Sequence, residues 1–148
     1  MQSHNLEAEM YRLFKYNFVI LAFIWLSIAS ANPAKALIDK EFSLGIGQTA
    51  NIEGEKLVIK FKAVLEDSRC PINVACVWAG NGKVEFEVID IDGQNKTVIL
   101  NTEEEPREIT LKGHKLKLVS LNPPRIDGVS ISPGDYSVML LVERKSAN

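Results

Sequence analysis

From about residue 40 onward, apolar and polar residues alternate in short runs that are separated by turn-forming residues. The clearest run is Lys56 to Leu65, in which five residues are expected to share one face: Leu57, Ile59, Phe61, Ala63 and Leu65. No stretch after Ala36 has the periodicity of a helix. This pattern predicts an all-β domain, an antiparallel β-sandwich that is immunoglobulin-like or small barrel-like, with about seven or eight strands.

The first 36 residues differ from the rest of the chain and predict an export signal. Phe18–Ala29 is an apolar run of 12 residues that follows basic residues and precedes small residues typical of a cleavage site. The run is shorter than the roughly 20 residues of a membrane-spanning helix. We therefore predict a signal peptide over residues 1–36, with cleavage after Ala36 or, alternatively, after Ala31.

An uncleaved membrane anchor is the alternative interpretation of the apolar run, and Met10 is an alternative start of the chain. Residues 37–148 then form one β-sandwich domain of ordinary size. The expected location is secreted or periplasmic. The formal net charge of −2 offers no basic face, so we expect no nucleic-acid binding. Membrane contact is expected only through the signal segment, if that segment stays uncleaved.

Cys70 and Cys76 are the two cysteines of the chain. An exported chain meets an oxidising compartment, which predicts a disulfide between them. Pro71 fixes one backbone angle inside the ring, so the loop is expected to be rigid. The C-x5-C spacing differs from the C-x-x-C of thiol oxidoreductases. The predicted domain has a single histidine, His114, which is too few ligands for a zinc site, so we expect no metal and no cofactor.

The candidate binding residues of this loop are Arg69, Pro71, Ile72 and Trp78. We expect Trp78 to pack in the core beneath the disulfide, because tryptophan is highly buried on average; an exposed anchor in a binding patch is the alternative. Arg69 is expected to pair with Glu66 or Asp67, or to bond loop carbonyl groups. Alternatively, Arg69 enters the acidic specificity pocket of a trypsin-like protease, which would make the chain an inhibitor.

Sequence motifs of catalysis are absent from the chain. His114 is the one conventional base of the predicted domain, so we expect no enzyme; a small hydrolase that uses His114 is the alternative. The Asp90–Asn95 segment predicts a hairpin turn rather than a calcium loop. Tyr136 at the start of the last strand predicts a tyrosine corner, in which the hydroxyl bonds upstream backbone.

The segment Asp67–Gly80 has the form D-S-R-C-P-x4-C-V-W-A-G. It resembles the signature of a family of short, exported bacterial proteins of uncharacterised function. The resemblance covers most of the domain, from the strand at Leu57–Val64 to the last strand at Tyr136, and implies no catalytic residue. The sequence thus predicts an exported, non-enzymatic binding or envelope-associated module of unknown ligand, whose partner is an envelope or extracellular protein.

Overall fold

A computed structural model describes residues 33–145, which form two β-sheets with one short 3-10 turn at Pro133–Asp135. In chain order the strands of this part are β1 (Ala34–Ala36), β2 (Glu41–Gly45), β3 (Thr49–Ile52), β4 (Val58–Asp67), β5 (Gly82–Ile89), β6 (Asn95–Asn101), β7 (Glu108–Leu111), β8 (His114–Asn122) and β9 (Ser137–Arg144). The described residues contain no helix with the length and apolar character needed to cross a membrane.

The two sheets have the orders β1-β3-β4-β5-β6 and β2-β9-β8-β7. Every pairing is antiparallel except that of β1 with β3, which is parallel. This arrangement confirms the predicted all-β fold and is that of a β-sandwich. The strand β2, which carries Gly45, lies at a sheet edge, where the loss of packing at glycine is tolerated.

The hydrophobic core lies between the sheets and takes its side chains from alternate positions of the strands. Phe61 of β4 and Phe86 of β5 are fully buried, and their ring centroids lie 5.8 Å apart. Leu118 of β8 and Leu140 of β9 come from the other sheet and are also buried. Burial of such side chains is the main favourable term in the stability of the domain.

The second half of β4 departs from regular alternation. Its pairing with β5 shifts register between Phe61 and Ala63 and again between Val64 and Glu66. The first shift brings Val64 opposite Val84, and Val64 packs against the core. The prediction that Leu65 faces inward is wrong, because Leu65 is the extra residue of the second shift and is 48% exposed.

Two strands lie where the sequence predicts none. β3 occupies Thr49–Ile52 and overlaps Asn51–Gly54, where the sequence predicts a turn; β1 occupies Ala34–Ala36, before the predicted start of the domain. Ala36 is 3% exposed, and its carbonyl accepts the amide of Glu53 at 2.8 Å. The apolar segment of the predicted signal peptide lies outside the described residues.

The β5–β6 connection is a hairpin turn, as the sequence predicts. Oδ1 of the buried Asp90 accepts the amides of Asp92 and Gln94, both at 3.0 Å. Oδ2 accepts the Lys96 ammonium at 2.9 Å. Both oxygens of this carboxylate therefore hold the turn together.

Candidate functional site

The β4–β5 hairpin ends in a ring closed by a disulfide between Cys70 and Cys76, with an S–S distance of 2.00 Å. The amide of Ser68 donates to the carbonyl of Asn81 at 2.7 Å, and the amide of Cys70 donates to that of Ala79 at 2.6 Å. These bonds continue the hairpin up to the ring. We call residues Cys70–Ala79 the cysteine loop; the predicted disulfide is present, and the loop is anchored on both sides.

The side chain of Arg69 makes its hydrogen bonds to other groups of the same domain. Its Nε and Nη2 donate to the two carboxylate oxygens of Asp67, each at 2.7 Å. Nη1 donates to the Leu121 carbonyl, and Nη2 also donates to the Pro123 carbonyl at 2.9 Å. The side chain is only 14% exposed. The expected pairing with Asp67 is thus found, and Arg69 is not placed to enter the pocket of a protease.

Asp67 joins Arg69 to the second sheet. The Tyr136 hydroxyl donates to Oδ2 of Asp67 at 3.0 Å, so the predicted tyrosine corner is wrong: the hydroxyl bonds a side chain rather than upstream backbone. Burial raises the pKa of Asp67, but the hydrogen bonds and charge of Arg69 outweigh it and bring this pKa below its ordinary value. Burial, together with the bond to Asp67, raises the pKa of Tyr136.

A second set of hydrogen bonds, centred on Asn81, supports the other side of the base of the cysteine loop. Asn81 and Asn101 are both 4% exposed. The side-chain nitrogen Nδ2 of Asn81 donates to Oδ1 of Asn101 at 2.9 Å. The Ser68 hydroxyl donates to the Asn81 carbonyl at 3.1 Å, and the amide of Glu103 donates to Oδ1 of Asn81 at 3.2 Å. Such buried amides are stabilising only when they are bonded in this way. Sequence reasoning missed Asn81 because Gly80-Asn81-Gly82 suggests an ordinary turn.

These residues form a fixed base for the cysteine loop, and we call them the loop frame: Asp67, Ser68, Arg69 and Asn81. The loop frame occupies the ends of β4 and β5, where two sheets and the β8–β9 connection meet. Its polar groups bond one another and nearby carbonyls, so little of their bonding capacity remains for a ligand. The frame is therefore structural in character.

The apolar side chains beyond the frame face solvent. We define the loop tip as Ile72, Val74, Val77 and Trp78, which are 69%, 43%, 95% and 77% exposed. The prediction that Trp78 packs beneath the disulfide is wrong. Trp78 belongs to no strand, so the alternation that would have turned it inward does not apply. Pro71 is partly buried, and its carbonyl accepts the Val74 amide at 3.3 Å.

The connection between β8 and β9 supports the ring from one side. The Ile72 amide donates to the Arg125 carbonyl at 2.9 Å, and the Asp127 amide donates to Oδ1 of Asn73 at 2.8 Å. Nη1 of Arg125 donates to the carbonyl of Arg69 at 2.8 Å. These three contacts tie a neighbouring loop to the ring. The loop tip is thus exposed without being detached from the domain.

His114 lies away from the cysteine loop, at the start of β8. It is 5% exposed, and its Nε2 lies 3.3 Å from Oε2 of Glu55, which Arg144 also contacts. The contact lacks hydrogen-bond geometry, so neither ring nitrogen has a bonded partner. The hydrogen bond from Arg144 holds the pKa of Glu55 below its ordinary value. Two surface grooves among the described residues, of about 290 and 310 Å3, are lined by residues other than His114.

Within residues 33–145 no three histidine, cysteine, aspartate or glutamate side chains come together as a set that could hold a metal ion. Comparisons with protein-family models, curated proteins and solved structures find no match to the chain. The family resemblance of the segment Asp67–Gly80 therefore stays a prediction. The geometry of the cysteine loop is the main indication of function.

Proposed function

We propose that the protein is an exported, non-enzymatic binding or envelope-associated module that contacts its partner through the loop tip. The observation that carries this proposal is the contrast between an apolar, exposed tip and a bonded, buried frame. A loop that is ordered before it binds loses little conformational entropy on binding. Tryptophan is also among the residues that most often dominate binding energy.

The distribution of exposed apolar side chains supports the same surface. Among the large apolar residues of the described chain, the three most exposed are Val77, Trp78 and Ile72. Single exposed apolar residues are normal on a soluble domain and need no explanation. Three such residues within seven positions of one disulfide-bonded loop form a cluster instead, and clusters of this kind mark interaction sites.

Fractionation of the producing cells tests this proposal. We expect the wild-type protein to be recovered with the cell envelope, and the variant Val77→Ser/Trp78→Ser to lose at least about tenfold of this association, because it removes most of the exposed apolar area of the tip. Ile99→Ser is the matched control, since Ile99 is 41% exposed on β6. Equal recovery of all three proteins in the envelope fraction would contradict the proposal.

Export itself gives a second test. We propose that the signal segment is removed after Ala31, because cleavage after Ala36 would take away β1 together with the buried Ala36. We expect the intact mass of the exported protein to match a chain that begins at Asn32 and carries the disulfide. A mass that begins at Leu37, or an unprocessed chain, would contradict this expectation.

The disulfide and the absence of a membrane-spanning helix from residues 33–145 are compatible with a secreted or periplasmic location. Neither the geometry of Arg69 nor that of His114 favours the other two functions that the sequence suggests. An inhibitor needs a projecting arginine, whereas Arg69 is bonded to Asp67 and two carbonyls. A hydrolase needs its base in an accessible site, whereas His114 is buried.

A further inference from the structure

We propose that the loop tip inserts into the interfacial layer of a lipid bilayer, so that the partner of this module is a membrane surface. The inference rests on the proposed binding function and names the chemical class of the partner. It differs from anchoring by the predicted signal segment, because it assigns membrane contact to the folded domain. Three features of the cysteine loop support it: its lack of charge, the size of its apolar surface and the support of its backbone.

The first feature is the absence of charge. Cys70–Gly82 is a stretch of 13 residues without a charged side chain, in a chain of which 24% is charged. Insertion of a charged group into a bilayer is costly, whereas an uncharged loop pays no such cost. Along the sequence the stretch is flanked by Arg69, which is paired with Asp67, and by Lys83, which lies 3.8 Å from Glu66 at the base of the hairpin. Arg125 and Asp127 of the β8–β9 connection lie beside the ring, and the Arg125 guanidinium is bonded to the carbonyl of Arg69.

The second feature is the size of the exposed apolar surface. A large aromatic side chain carries about 150–250 Å2 in all, so the four residues of the loop tip together expose only a few hundred Å2. A stable protein interface, including one with a second copy of this chain, buries about 800 Å2 on each partner. The tip alone is too small for such an interface. A bilayer requires no matching surface, and burial of a few apolar side chains suffices for reversible attachment.

The third feature is the way the loop presents these side chains. The amides of Cys70, Ile72 and Val74 all donate to backbone carbonyls, so these groups do not need water as a partner. Trp78 combines a large apolar ring with one N–H donor, and such side chains favour the boundary between lipid and water. Because the ring is held by the loop frame, insertion does not require the loop to become ordered first.

Vesicle binding by the exported, processed protein tests the inference. Trp25 and Trp78 are the two tryptophans, and removal of the signal segment leaves Trp78 as the single tryptophan fluorophore. We expect the protein to float with phosphatidylcholine vesicles and its fluorescence to shift to shorter wavelength on binding. Lipids that carry a quencher near the headgroups should quench this emission.

Variants separate the tip from other surfaces. Val77→Ser/Trp78→Ser should reduce the fraction bound to vesicles at least about tenfold, whereas Ile99→Ser should leave it unchanged. Because the tip is uncharged, addition of phosphatidylglycerol should change binding little, and raised salt should not abolish it. All three proteins are first compared by thermal unfolding, since their substituted residues are exposed and should leave the fold intact.

Two outcomes would overturn the inference: no binding to either kind of vesicle, or binding that requires anionic lipid and disappears with salt. If the protein binds neither kind of vesicle while its association with the cell envelope still depends on Val77 and Trp78, the partner is an envelope component other than the bilayer, and the proposed binding function stands. If both assays show no dependence on these two residues, the proposed function fails as well.

Discussion

Replacement of Gly80 by alanine is expected to lower the free energy of unfolding by at least about 4 kcal/mol, at the upper end of what single substitutions cost. Gly80 has a φ of +69°, which residues with a side chain rarely adopt. An added Cβ would also overlap the backbone oxygen of Ser68 and lie 2.7 Å from its carbonyl carbon. Both are backbone atoms, and the hairpin bonds from the Ser68 amide to Asn81 and from the Cys70 amide to Ala79 hold the chain on either side of them. Chemical denaturation measures the loss.

Gly93→Ala is the matched control for this substitution. Gly93 has a φ of +76°, close to that of Gly80, but a Cβ there would meet no atom within 4 Å. Its expected cost is therefore that of the backbone conformation alone, about 1–2 kcal/mol. The difference between the two variants isolates the steric overlap at the base of the cysteine loop. Equal losses in both would mean that the loop base accommodates a side chain.

The variant Asp67→Asn is expected to cost about 3 kcal/mol at neutral pH, because it leaves the guanidinium of Arg69 buried without its counter-charge. Asp67 is 8% exposed in its side chain, and Arg69 is 14% exposed. The amide of asparagine offers one acceptor where Arg69 and Tyr136 together use both carboxylate oxygens. Denaturant unfolding of the variant and the wild type gives the difference.

Two comparisons show whether this cost comes from the buried pair. Glu66→Gln changes the neighbouring carboxylate, which is exposed, and should alter stability by no more than about 0.5 kcal/mol. Because the pKa of Asp67 is lowered by folding, its contribution is complete above the unfolded-state value of about 3.9 and is lost as pH falls through the lower folded value. The wild type should therefore approach the variant below about pH 4. A constant difference down to low pH would refute the assignment.

The fold class follows from the sequence because alternation and turn residues are local signals, and β5, β8 and β9 largely keep their alternation. The second half of β4 does not keep its alternation, because two register shifts interrupt it, and these shifts depend on the pairing of β4 with β5. The sequence of Lys56–Leu65 reads as one regular strand, and nothing in it marks the extra residues. β1 was missed for a similar reason: the three residues Ala34–Ala36 form a strand because β3 lies beside them.

The candidate site likewise has some features that the sequence predicts and others that depend on the folded structure. The disulfide and the pairing of Arg69 with Asp67 could be predicted, because they depend on residue chemistry and short spacing along the chain. The bond from Tyr136 to Asp67 joins residues 69 positions apart and needs the packed sheets. The exposure of Trp78 could not be predicted from average burial, since the ring extends past the ends of the strands and leaves its side chain no core to fill.

The loop frame has a consequence for the grouping of proteins by this motif. Within Asp67–Gly80 the motif combines residues of the loop frame with Val77 and Trp78 of the loop tip, whereas Ile72 and Val74 fall among its unspecified positions. A chain that keeps the whole motif therefore keeps the support of the loop together with two of its four exposed apolar side chains. Differences between such chains then fall between the two cysteines, where Ile72 and Val74 lie, and change the exposed surface of the loop without changing its support.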